Sequence, residues 1–167
     1  MKKIIVIALL VLIPLGTVMA QSDPTDPAIV KAKEETAVVF DLGRMFGYLN
    51  TMVTEEKKLA LSKDQMSELY GIMTTLLQTD RVEPETAEEM LVKIEDEILT
   101  PDQLMYTDQL AIEKMASRTP GAGGGGGGGQ ITNYIAGGAF NPMKDPAKNI
   151  GKDFDTFFKY LKKKLGK

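Results

Sequence analysis

One six-residue pattern occurs twice and fixes where two helices begin: Leu61-Ser62-Lys63-Asp64-Gln65-Met66 and Leu99-Thr100-Pro101-Asp102-Gln103-Leu104. Ser62 and Thr100 have side chains that suit an N-cap, and Gln65 and Gln103 sit three residues on, where a capping box takes Glu or Gln. Leu61 can staple onto Met66, and Leu99 onto Leu104, across the first turn. Asp64 and Asp102 bring negative charge to the positive end of each helix dipole. Pro101 occupies the first helical position, where its missing N–H costs nothing.

Apolar spacing around these starts predicts further helices. Val38, Leu42, Met45, Leu49 and Met52 recur by four and three, with Val39, Phe46 and Val53 beside them, after a start at Asp26-Pro27. Gly43 and Gly47 lie one turn apart in this stripe and cost about 1 kcal/mol each relative to Ala, which implies that another helix comes close there. Met66, Leu69, Met73 and Leu76 make the stripe of a helix from Ser62. Pro84 opens the next, with Thr86 and Glu89 offering another capping box and Ala87, Leu91, Ile94 and Ile98 as its buried line. The helix from Thr100 has a weaker face, Leu104, Ala111 and Met115 with Leu110 and Ile112, interrupted by Asp108. Helices are expected near 27–53, 62–78, 84–98, 101–117 and 150–165.

The ends differ from this middle. Lys2 and Lys3 followed by an apolar run from Ile4 to Ile13, a break at Pro14 and Gly16, and Val18-Met19-Ala20 have the form of a cleavable Sec-type signal peptide over 1–20. The run is too short to span a bilayer comfortably, so a periplasmic or secreted protein is expected, after a polar leader at 21–26. Residues 121–129 are glycine except Ala122, a composition that behaves as a flexible coil. No flanking strand or Lys-Ser/Thr pair makes this a phosphate loop. The layout expected is a helical bundle at 27–118, a glycine-rich linker at 119–130, a loop at 131–149 and a basic amphipathic helix at 150–167. The fold class is all-α, a small bundle of about four helices with the linker and the C-terminal helix appended.

Composition narrows the chemistry. The chain lacks Cys and His, so disulfides, thiolate sites and Ser-His or Cys-His nucleophile pairs are excluded. No catalytic, cofactor or metal residues are assigned. The acidic residues Glu85, Glu88, Glu89, Glu95, Asp96 and Glu97 lack the oxygen-ligand alternation of a calcium loop and suit a solvated helix face. Residues 21–120 carry 20 acidic and 10 basic side chains, whereas 130–167 carry 3 and 8. An acidic exported protein is a poor nucleic-acid ligand. The C-terminal segment sets Ile150, Phe154, Phe157, Phe158, Leu161 and Leu165 on one face, with Lys159, Lys162, Lys163, Lys164 and Lys167 near its end. Two destinations fit that pattern: packing on the acidic bundle as a fifth helix, or contact with an anionic membrane or a partner through Phe154, Phe157, Phe158, Leu161, Lys162, Lys163 and Lys164.

The doubled motif resembles the Leu-Thr-x-x-Gln signature of the Spy/CpxP-like periplasmic proteins. Leu99-Thr100-Pro101-Asp102-Gln103-Leu104 matches it, and Leu61-Ser62-Lys63-Asp64-Gln65-Met66 carries Ser for Thr. The layout is equally similar to small exported bacterial helical proteins with two such motifs. The resemblance covers residues 61–115 and implies an exported, all-helical, non-enzymatic protein that binds unfolded clients or a partner protein. Two departures stand beside it: only 38 positions separate Ser62 from Thr100, too few for that family's long central helices, and the bundle is acidic where the family's binding surface tends to be basic. The alternatives carried forward are a carboxylate-based metal-binding protein or enzyme, and a membrane-surface-associated structural protein.

Overall fold

The computed structural model describes residues 26–117 and 128–167. The expected signal peptide and most of the leader and glycine linker lie outside those residues. The fold is all-α, with seven α-helices among the described residues rather than about four: α1 (Pro27–Glu35), α2 (Ala37–Glu55), α3 (Lys63–Gln78), α4 (Pro84–Val92), α5 (Pro101–Ala116), α6 (Gly128–Ile135) and α7 (Asn149–Leu165).

The expected first helix is broken at Thr36. Its hydroxyl donates to the Ala32 carbonyl (2.6 Å) and its backbone takes ψ near 0°, and there α1 ends and α2 starts. Back-bonding of this kind bends helices, and apolar spacing does not register it. Pro84, rather than Thr86, fixes the start of α4. The N-cap is Glu83, whose side chain makes no cap bond, and Thr86 lies inside the helix. Beyond Val92 the coil widens to a π-helix over Lys93–Ile98, closed by the Leu99 N–H on the Ile94 carbonyl (3.0 Å), and this turn buries both Ile94 and Ile98.

α2 is the axis of the core. It buries Val39, Leu42, Met45, Phe46, Leu49 and Met52, and packs against α4, α5 and, most extensively, α7. α7 contributes Phe154, Phe157 and Leu161, each at most 1% exposed. The Phe46 ring meets Phe154 edge-on, with centroids 5.2 Å apart. A Cβ at Gly43 would collide with Ile150 of α7 and lie 3.2 Å from Met143 Sδ, and one at Gly47 would lie 3.1 Å from an Asp153 carboxylate oxygen. These two glycines therefore let α7 settle on the α2 backbone. On the far side, Gly151 lies so close to the Asp145 carbonyl that any side chain there would strike the turn before α7. The C-terminal helix is thus a core element and not an appendage to a separate bundle.

The stretch expected as a loop, 131–149, is also structured. Gly128–Ile135 is helical and packs on α1, and Pro142–Lys144 forms a 3₁₀ turn that buries Pro142 and Met143. Arg81 holds this segment in place: its guanidinium donates to the Tyr134 (3.2 Å) and Gly138 (2.9 Å) carbonyls and lies 4.4 Å from the centre of the Tyr134 ring. Main-chain bonds from Val82 N–H to the Phe140 carbonyl (2.8 Å) and from Phe140 N–H to the Asp80 carbonyl (2.9 Å) add to it. Asn141 donates to the Leu76 and Thr79 carbonyls, at 2.8 Å each, and so caps the C-terminal end of α3. Long-range anchors of this kind have no local sequence period.

Because α7 fills the centre, Phe157→Ala should cost about 3–5 kcal/mol, the usual penalty for emptying a buried phenylalanine site. Urea unfolding of the two proteins measures it. A loss below about 1 kcal/mol would mean that α7 is peripheral.

The paired capping motifs and the candidate binding surface

Both motifs form complete capping boxes. The Gln65 N–H donates to Ser62 Oγ (3.1 Å) and the Ser62 N–H to Gln65 Oε1 (2.8 Å). The Gln103 N–H donates to Thr100 Oγ1 (3.4 Å) and the Thr100 N–H to Gln103 Oε1 (3.0 Å). Asp64 and Asp102 fall in the respective first turns.

The structure adds what local reading missed: the two boxes face each other. The Gln65 amide donates to Gln103 Oε1 (2.7 Å) and to the Ile98 carbonyl (2.6 Å). The Gln103 amide donates to the Leu59 (3.2 Å) and Ala60 (3.5 Å) carbonyls. Ile98 precedes Thr100 by two residues, and Ala60 precedes Ser62 by two. Each glutamine thus caps its own helix with its oxygen and ties down the chain entering the other helix with its nitrogen. The arrangement is a local two-fold, and it brings the starts of α3 and α5 together. Gln103 is 3% exposed, so its polar atoms must be matched within the protein. Among the described residues no buried side-chain nitrogen or oxygen lacks a partner.

This pairing demands an amide. A capping box accepts Glu as readily as Gln, but a carboxylate at position 103 has no proton to offer the Leu59 and Ala60 carbonyls. Gln103→Glu should therefore destabilise by about 1–3 kcal/mol at neutral pH, the cost of leaving buried polar groups unmatched, and part of the loss should return in acid as the carboxyl regains a proton. Urea midpoints at the two pH values test this. Equal stability of Gln103→Glu and the parent would reduce the motif to two independent caps.

The rest of α5 departs from the expected pattern. Its only buried side chains are the polar Gln103 and Thr107. Leu104 is half-buried against the core, while Ile112 (57%) and Met115 (60%), expected to pack, are exposed together with Met105 (67%). The motif draws the start of α5 inward by hydrogen bonding, and that orientation turns the apolar residues of its later turns out to solvent. Met105 and Ile112 are seven residues apart and share one face, with Met115 beside them.

The other sequence-expected contact residues separate by burial. Phe154, Phe157 and Leu161 are in the core, so they cannot reach a membrane or partner without opening the bundle. Phe158 is half-buried, its ring stacked on Tyr70 with centroids 5.1 Å apart. Lys162, Lys163 and Lys164 are exposed. An open groove of about 480 Å³ lies between α3 and α4, lined by Glu68, Ile72, Thr75, Glu89, Met90 and Lys93, with Lys93 Nζ 3.4 Å from Glu68. It holds no convergent set of catalytic groups. Among the described residues no group of three or more His, Cys, Asp or Glu side chains comes together in the manner of a metal site. No helix among them is long and apolar enough to cross a membrane.

Burial raises two carboxyls, Asp153 and Glu95, and only at Glu95 do neighbouring charges add to the rise. Burial pushes the Glu95 carboxyl above its ordinary value of 4.5, and the charges of Asp108, Asp96 and Asp41 push the same way. A carboxyl raised in the folded state penalises folding once it ionises, so the penalty is absent below pH 4.5 and complete at neutral pH. Glu95→Gln should therefore raise the melting temperature at pH 7, with the gain fading towards pH 4. A melting temperature lowered at pH 7 would show that the Glu95 charge is instead satisfied.

No family model, curated protein or solved structure matches the chain.

Proposed function

We propose that the protein is an exported, non-enzymatic helical binding protein of the Spy/CpxP-like kind, which holds unfolded or partner polypeptide on the outward face of α5. The observation that carries this reading is the exposure of Met105, Ile112 and Met115 on one side of a helix whose buried residues are polar. Folding leaves that apolar surface unused. Clustered exposed apolar side chains mark interaction sites, and methionine suits varied clients because its unbranched, polarisable chain adapts its shape. The doubled motif supports the family-level reading, and the signal-like N-terminus supports an extracytoplasmic site of action.

An aggregation assay with a chemically unfolded client tests it. The protein should suppress light scattering, and a Met105→Lys/Ile112→Lys variant of unchanged melting temperature should lose most of that effect. Calorimetric titration with calcium and zinc belongs beside it. Tight stoichiometric metal binding without any effect on a client would replace this reading with the carboxylate-based one.

A further inference from the structure

With its apolar side in the core, α7 shows solvent a different face. Lys152, Lys159 and Lys163 are exposed and stand seven and four residues apart, so they fall on one row along the helix, with Lys148 at its start. The row from Lys152 to Lys163 runs roughly 16 Å at 1.5 Å per residue. Thr156 is the neutral member of the row. Asp155 flanks it and pairs with Lys159 (2.6 Å). Among the described residues Lys148, Lys152 and Lys163 are in no ion pair. Lys162 and Lys164 are exposed to either side, and Lys164 lies 5.6 Å from the Tyr160 ring centre. The rest of the described chain is acidic.

We propose that this lysine row is a docking surface for an anionic phospholipid bilayer, held by charge alone and without insertion. This goes beyond the α5 reading and does not depend on it. Three features select a lipid plane. The row follows one helix with its lysines exposed over about 16 Å, a layout that a flat anionic surface can meet. The acidic remainder of the molecule would repel a flexible polyanion that wrapped around it, whereas a plane can approach from the α7 side alone. The charges are all lysine, compact hydrated point charges that suit headgroup phosphates and lack the planar fork that reads bases or pairs bidentately. Phe154, Phe157 and Leu161 are committed to the core, so no apolar wedge accompanies the contact, and screening should abolish it.

The test is co-sedimentation of the protein, purified after expression of the whole chain, with vesicles of phosphatidylcholine alone or mixed with phosphatidylglycerol. Binding is expected only to the mixed vesicles, and molar salt should reverse it. Lys152→Gln/Lys159→Gln/Lys163→Gln should weaken binding about a hundredfold. Lys31→Gln/Lys33→Gln/Lys57→Gln, which removes equal charge from other exposed positions, should change it little. Melting temperatures and helical circular dichroism establish that both variants are folded. Failure to pellet with anionic vesicles at low salt would overturn the proposal, as would equal pelleting by the two triple variants. Self-association that the α7 variant abolishes, without vesicle binding, would also overturn it and assign the row to the acidic surface of a second copy.

Discussion

The close seat of α7 on α2 is the contact from which the rest of the packing follows. Each glycine costs α2 about 1 kcal/mol of helix propensity, a loss that close packing by a neighbouring helix offsets. Ile150 and Asp153 occupy the space that side chains at Gly43 and Gly47 would fill. Once α7 lies there, Phe154 and Phe157 reach Phe46 from the other side, and Met143 closes over Gly43. Residues 128–148 must then travel from the glycine-rich stretch to the start of α7. Two anchors fix that route: Arg81, in the turn between α3 and α4, donates to the Tyr134 and Gly138 carbonyls, and Asn141 donates to the Leu76 and Thr79 carbonyls at the end of α3.

The paired glutamines solve a different problem. Hydrophobic burial is non-directional, and α5 offers the core little apolar surface near its start. Hydrogen bonds between the two motif starts supply the direction instead. An amide in each box is needed because one functional group must accept from its own helix and donate to the neighbour's entering strand of chain. The position of α5 is thus set at one end by polar matching, and its outward face is left free to present Met105, Ile112 and Met115. The same matching explains how a repeat spaced by only 38 residues closes into a compact junction: α3, the turn and α4 return the chain to its starting point.

Local signals were legible in the sequence where the physics is local. The caps at Ser62 and Thr100, the proline starts at Pro27, Pro84 and Pro101 and the stripe of α2 all follow from residues within a few positions of one another. The close approach at Gly43 and Gly47 was legible too, but not its partner. What failed was long-range or degenerate. Thr36 breaks a helix without breaking the apolar period. α6 starts on glycines and carries one buried side chain, Ile131, so its pattern is faint. The mutual contact of Gln65 and Gln103 has no signature beyond the capping box. An amphipathic helix such as α7 has the same pattern whether its apolar side meets lipid or protein. Two clues did point inward: the glycines that required a close neighbour, and the opposite charges of the two halves of the chain.

The α7 outcome also alters how surface chemistry is divided in this molecule. A membrane-surface helix combines apolar and basic faces on one element, so that insertion and charge attraction act together. Here those roles fall on separate helices. The apolar face of α7 is consumed by α2 and α3, which leaves its lysine row exposed without an adjacent wedge. The exposed apolar face belongs to α5, whose neighbouring charges include Asp108 and Glu113 and would be repelled by an anionic surface. Two surfaces of opposite chemistry on different helices suit two different contacts: one insensitive to salt and driven by apolar burial, the other long-ranged, reversible and governed by ionic strength.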